Sequence, residues 1–151
     1  MQSDESEPGG VGYDERARGI ASIEILLRIL RKGLDCFEGD DLETIVVLLT
    51  VASASTGRYL RDYGTLEALG TDPLPGHLHR PTSGRSIAES TGLPRETVRR
   101  RLNGLVADGR ILKDERGFRT VSGGMTVDRN MEFVRFMTAE LNAASQKLAR
   151  F

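Results

Sequence analysis

Between Ser83 and Leu105 the chain orders its small, apolar and glycine residues as a tight pair of short helices requires. Ser83 is a helix-capping residue type, and Ile87 and Ala88 follow where a first helix faces inward. Ala88 is small at the point where the two helices approach. Gly92 supplies a left-handed turn that residues with a β-carbon adopt reluctantly. Leu93 plugs the corner and Pro94 suits a helix start. Val98, Leu102 and Leu105 then recur at steps of three and four, which is one face of a second helix.

The opposite face of that second helix carries Glu96, Arg100 and Asn103, flanked by Thr97 and Arg99, with Arg95 and Arg101 reaching out from its margins. Arginine bonds guanine edges with two donors, asparagine does the same for adenine, and both hold phosphates. Arg100 points most directly away from the apolar face. Arg101 sits nearer the margin and is expected at phosphate, and Arg85 on the first helix is a further expected DNA contact. A solvated arginine-rich surface on an ordinary helix pair is the plainer alternative.

Gly109 to Val121 reads as a β-hairpin, with Ile111 and Phe118 inward and a turn from Asp114 to Gly117. Lys113, Arg116 and Arg119 are placed to reach phosphates or an adjacent minor groove. Asp114 and Glu115 beside Arg116 temper that charge, so a hairpin that only steadies the core is an equal reading. Helix, turn, helix, hairpin is the order of a winged helix-turn-helix. The expected fold is therefore mainly α with a small β-hairpin wing, and the expected partner is double-stranded DNA. The alternative partner is an acidic protein surface facing the same arginines.

Charge distribution favours DNA over whole-chain charge. The chain has 21 Lys and Arg against 22 Asp and Glu, a net charge of −1. From Arg80 to Val121 there are ten basic and five acidic residues, a net of +5 that leaves −6 elsewhere. Local charge governs phosphate binding, and an acidic remainder limits indiscriminate sticking.

Two amphipathic segments flank this region. In 14–40, Ile20, Ile23, Leu27, Leu30 and Leu34 form a three-four seam that continues to Phe37. In 125–151, Val134, Met137, Leu141 and Leu148 form a second, with Ala144 and Phe151 in register. Seams of this period belong to packed helix pairs. They pair either with each other inside one chain or, as the favoured reading, with the same helices of a second copy. Between them, 41–124 forms the DNA-binding unit. It opens on a helix from Asp41 to about Tyr63, apolar nearly all round at Ile45–Ala52, capped by Asp40 or Asp41 and kinked or ended at Gly57. The linker 64–81 is rich in breakers and allows one short helical turn at Thr65–Leu69.

Ile87-Ala-Glu-Ser-Thr-Gly-Leu-Pro-Arg-Glu-Thr-Val-Arg-Arg-Arg-Leu, followed by Leu105 and Gly109-Arg-Ile, resembles the winged-helix domains of bacterial transcriptional regulators, most closely the IclR, GntR and MarR families. A single winged domain between an N-terminal and a C-terminal helix resembles the MarR arrangement, in which those helices form the dimer. The resemblance implies a homodimer on a pseudo-palindromic operator, with Arg95, Glu96, Thr97, Arg99, Arg100 and Asn103 on the recognition helix and Arg116 at the wing tip. The linker before Pro81 is longer than the family shows.

Other chemistry finds little support. No Ser/His/Asp or Cys/His grouping and no phosphate-cradling glycine loop appears, so no catalytic residue and no cofactor is expected. Cys36 stands alone, which excludes an internal disulfide and fits a reducing compartment and a buried, unreactive thiol. His77 and His79 lack metal-ligating neighbours and read as exposed loop histidines, with no metal expected. The acidic start, 1–13, reads as a flexible tail, and no apolar run spans a bilayer, so a cytoplasmic protein is expected. A cleft between the flanking helices and the DNA-binding unit is where a small-molecule effector would sit, although no motif marks one.

Overall fold

The computed structural model describes residues 11–124 and 127–151, so the expected tail falls outside the described residues up to position 10. The chain is mainly helical, with one antiparallel hairpin. Its elements run α1 (Tyr13–Cys36), α2 (Leu42–Thr56), α3 (Tyr63–Leu69), α4 (Gly84–Thr91), α5 (Arg95–Ala107), β1 (Ile111–Asp114), β2 (Gly117–Thr120) and α6 (Asp128–Leu148).

Helix α2 is the axis of the core. Asp41 begins it, its Oδ1 accepting from the Thr44 amide at 2.8 Å and the Thr44 hydroxyl at 2.7 Å. These bonds from Thr44 hold the Asp41 carboxyl below its ordinary pKa. Val47 and Val51 are fully buried, and with Ile45 and Leu48 they meet Ile87, Val98, Leu102, Leu105, Ile111 and Phe118 in one cluster. The third side of α2 departs from the all-round burial expected of it. Leu42, Val46 and Leu49, at steps of four and three, are about two-fifths exposed. The helix ends where Gly57 opens a 3₁₀ turn to Leu60.

Helices α1 and α6 pair with each other inside the chain, α6 through part of its predicted seam and α1 not through its own. Ion pairs join Glu24 to Lys147 at 3.8 Å, Arg28 to Glu140 at 2.8 Å, and Lys32 to Glu132. Partners rise along one helix as they fall along the other, so the two run antiparallel. Ala21, Ile25 and Gly33 are the buried residues of α1, and Phe133 and Ala144 those of α6. Small residues allow the close approach: a β-carbon at Gly33 would sit 3.4 Å from the Phe133 ring. Phe133 meets Phe37 edge to face at 5.5 Å between centroids, which ties the pair to the core. Ile20, Ile23, Leu27, Leu30 and Leu34 are left facing out, between 63% and 36% exposed, and Leu141 on α6 is 54% exposed. Val134, Met137 and Leu148 are half-buried, and Met137 packs on the core.

The segment between α2 and α4 is anchored to the rest. Tyr59 and Arg58 both donate to the Leu78 carbonyl, at 3.1 and 3.0 Å, and the Arg80 amide donates to Ser55 O at 3.0 Å. His79 corrects the expectation of two exposed histidines, since it is only 6% exposed. Its Nε2 faces the Leu74 carbonyl at 3.0 Å and its Nδ1 the Thr120 hydroxyl at 2.7 Å. In the neutral ring Nε2–H therefore donates and Nδ1 accepts. A sequence shows the residue and its polar neighbours, but not the long-range pairing that buries it. Cys36 is half-buried against the core, and burial pushes its thiol pKa up, which suits an unreactive thiol.

Candidate nucleic-acid interface

The site is built on α4, α5 and the hairpin. Ser83 Oγ caps α4 by accepting from the Ser86 amide at 3.1 Å. Gly92 ends it at φ +71°, and Pro94 precedes the first residue of α5. Ile87, Ala88, Val98, Leu102 and Leu105 are all buried, so the inner faces of the two helices are as the spacing predicts. In the hairpin, Ile111 lies opposite Thr120 and Asp114 opposite Gly117, with Ile111 and Phe118 buried. Thr82 and Phe118 exchange two backbone hydrogen bonds of 2.8 Å, which fixes the hairpin to the start of α4.

Burying one face of α5 presents the other to solvent. Arg95, Glu96, Arg99, Arg100 and Asn103 are exposed there and Thr97 is half-buried. Arg95, Arg100 and Asn103 make no side-chain hydrogen bond or ion pair to any described residue, so their donors face outward unengaged. Arg99 differs. Its guanidinium forks onto Glu96 at 2.5 and 2.9 Å, which lowers the Glu96 pKa and raises that of Arg99. The pair is exposed and easily exchanged for another anion. Arg85 is likewise exposed and paired with Glu89 at 2.9 Å.

No known protein family, curated protein or solved structure matches this chain. The site therefore rests on its own geometry.

Arg101 is the residue whose surroundings differ most from expectation. It turns back to the start of α2, where it meets Asp41 at 2.5 Å and Glu43 at 2.8 Å with its side chain 26% exposed. Its main bond, to Glu43, raises its pKa. It ties α5 to α2 and is not free for phosphate. Arg119 also faces inward, toward Gly76 O at 3.3 Å and Asp114 at 3.5 Å. Lys113 lies over the Phe118 ring at 5.5 Å with its ammonium still outside. Arg116 is exposed at the turn, where its amide bonds Asp114 Oδ1 at 2.8 Å and so lowers that carboxyl's pKa.

Asp41 and Glu43 were outside the predicted site, yet they decide which arginines remain available. Their acidic cluster at a helix start was visible in the sequence, but nothing there tells which arginine answers it. Among the described residues no group of three or more His, Cys, Asp or Glu side chains is arranged for a metal ion. No described helix is long and apolar enough to cross a membrane.

Proposed function

We propose that this chain is a sequence-specific DNA-binding transcriptional regulator of the winged helix-turn-helix type that acts as a homodimer on a pseudo-palindromic operator. One observation carries the reading. Helix α5 is locked to the core by Val98, Leu102 and Leu105 and turns Arg95, Arg100 and Asn103 outward with no hydrogen bond or ion pair to a described residue. Side chains of these types on a rigid helix suit the edges of guanine and adenine in the major groove. The hairpin then serves as the wing, with Arg116 and Lys113 as its available cations.

Arg100→Ala is expected to weaken specific binding by about 1–3 kcal/mol while leaving the thermal midpoint nearly unchanged, because the side chain is exposed and makes no hydrogen bond or ion pair to a described residue. Fluorescence anisotropy on a selected duplex measures the first and calorimetry the second. Unaltered affinity would remove α5 from the interface. Retention by an acidic polypeptide, with no affinity for duplex DNA, would instead favour the protein-interaction alternative.

The exposed stripe of α1 supports the dimer. Ile20, Ile23, Leu27, Leu30 and Leu34 form a continuous apolar face on a helix whose other side is already covered by α6. A contiguous exposed patch of this kind marks an interaction surface, and a second copy offers the same stripe for a two-fold contact. Leu27→Glu with Leu30→Glu is expected to give a folded monomer by light scattering, since neither side chain lies in the core. A double variant that stays dimeric would place the contact elsewhere.

A further inference from the structure

Helix α2 carries no charged side chain from Thr44 to Thr56, on its outer side as well as its inner one. Leu42, Val46 and Leu49 stand on that outer side, each about two-fifths exposed and outside the core cluster. A shallow groove lined by Val46, Leu49, Thr50, Ser53, Ala54 and Ser90 continues them toward α4. The solvated side of a surface helix is normally charged or polar, whereas the centre of a protein contact is depleted of charge.

This stripe shares a face with the stripe of α1. The chain reverses over residues 37–41: a β-carbon at Gly33, in the last turn of α1, would lie 3.9 Å from Ile45 Cδ1 in the first turn of α2. Two right-handed helices that meet in opposite senses turn the residue after each contact point to the same side. Leu34 follows Gly33 and Val46 follows Ile45. Leu30 lies one turn before Leu34, and Leu42 and Leu49 lie one turn to either side of Val46. Leu30, Leu34, Leu42, Val46 and Leu49 therefore form one uncharged surface at the elbow between α1 and α2, all of them partly exposed.

Area argues for joining the two stripes. The five side chains of the α1 stripe alone fall well short of the ~800 Å² that each partner of a stable complex buries. We propose that a second copy of this chain covers the elbow, so that α2 as well as α1 forms the dimer contact. This rests on the dimer proposed above and not on DNA binding. It departs from the arrangement that the resemblance implies, in which the first and last helices make the contact and α2 has no part. Because α5 packs on α2, a contact at α2 couples the two recognition helices through the cores of the two copies.

Methyl relaxation by a neutral, soluble gadolinium chelate tests this on the unaltered full chain. Leu42, Val46 and Leu49 are expected to be shielded as core methyls are, whereas Leu66 of α3, 41% exposed like Val46, should be strongly broadened. Val46→Glu should raise the dimer dissociation constant about a hundredfold or more by sedimentation, because each copy would bring an unpaired charge into the contact. Leu66→Glu is the matching control and should leave the constant unchanged. Broadening of the α2 methyls equal to that of Leu66, with the α1 stripe shielded, would overturn the role of α2 and leave the α1 dimer standing. A folded Val46→Glu chain that dimerises normally would do the same. An unaltered chain that sediments as a monomer would overturn this proposal and the dimer together.

Discussion

Asp40→Ala is expected to destabilise the chain by about 3–5 kcal/mol, because it strands a buried guanidinium without its counter-charge. Arg110 Nη1 lies 2.7 Å from Asp40, and its guanidinium carbon lies 5.6 Å from the centre of the Phe37 ring. Its Nη2 meets no acceptor among the described residues, so the cation relies on Asp40 there. The pair also joins the turn after α1 to the start of the hairpin, two regions far apart in sequence. Asp40→Asn keeps an acceptor and should cost less. Removing both charges with Asp40→Asn and Arg110→Met should recover most of the loss, because no buried charge is then left alone. Urea denaturation of the three variants measures this. A loss below about 1 kcal/mol for Asp40→Ala would mean that water screens the pair as it screens exposed ones.

Gly117→Ala is expected to cost about 3 kcal/mol, from backbone strain together with the loss of buried backbone pairing. Gly117 sits at φ +132°, and a β-carbon there would lie 2.3 Å from the Thr82 carbonyl oxygen. That oxygen accepts the Phe118 amide, so the methyl group displaces the bridge that fixes the hairpin to α4. Gly109→Ala is the matching control. It also has positive φ, +70°, but no atom lies within 4 Å of the added carbon. Its cost should be only about 1 kcal/mol, that of the left-handed conformation alone. Equal losses at the two positions in chemical denaturation would mean that the approach of Thr82 matters little.

The pair α4–α5 and the hairpin were legible because their determinants are local. Ser83, Gly92, Pro94 and Gly117 each act on the backbone beside them, and Val98, Leu102 and Leu105 need only helical period to reach one face. The flanking helices were legible as helices but not in their pairing. A three-four seam marks an apolar stripe, and α1 has two: the bulky one at Ile20–Leu34 and a smaller one at Ala21, Ile25 and Gly33. Close packing in the chain uses the small side chains, and period alone cannot rank the two. The exposed α2 stripe of Leu42, Val46 and Leu49 was hidden in the same way by a sequence apolar all round. Long-range polar pairing was the least legible. Arg101 belongs by sequence to the arginine cluster of α5, yet it answers Asp41 and Glu43 more than fifty residues earlier. His79 closes on Thr120 across 41 residues, and no local pattern announces either contact.

Reading of duplex DNA by α5 in a symmetric dimer is the proposal on which the rest depends. Selection of bound duplexes from a random pool, followed by footprinting over a range of salt, tests it most directly. The expected result is an inverted repeat whose half-sites are centred about one helical turn, roughly 10 base pairs, apart. Affinity should fall steeply with salt, and Arg100→Ala should relax the preference at one position in each half-site. Inserting about five base pairs between the half-sites should abolish cooperative binding by turning one of them to the opposite face of the duplex. A pool that enriches no sequence, or a footprint over one half-site that is indifferent to spacing, would contradict it.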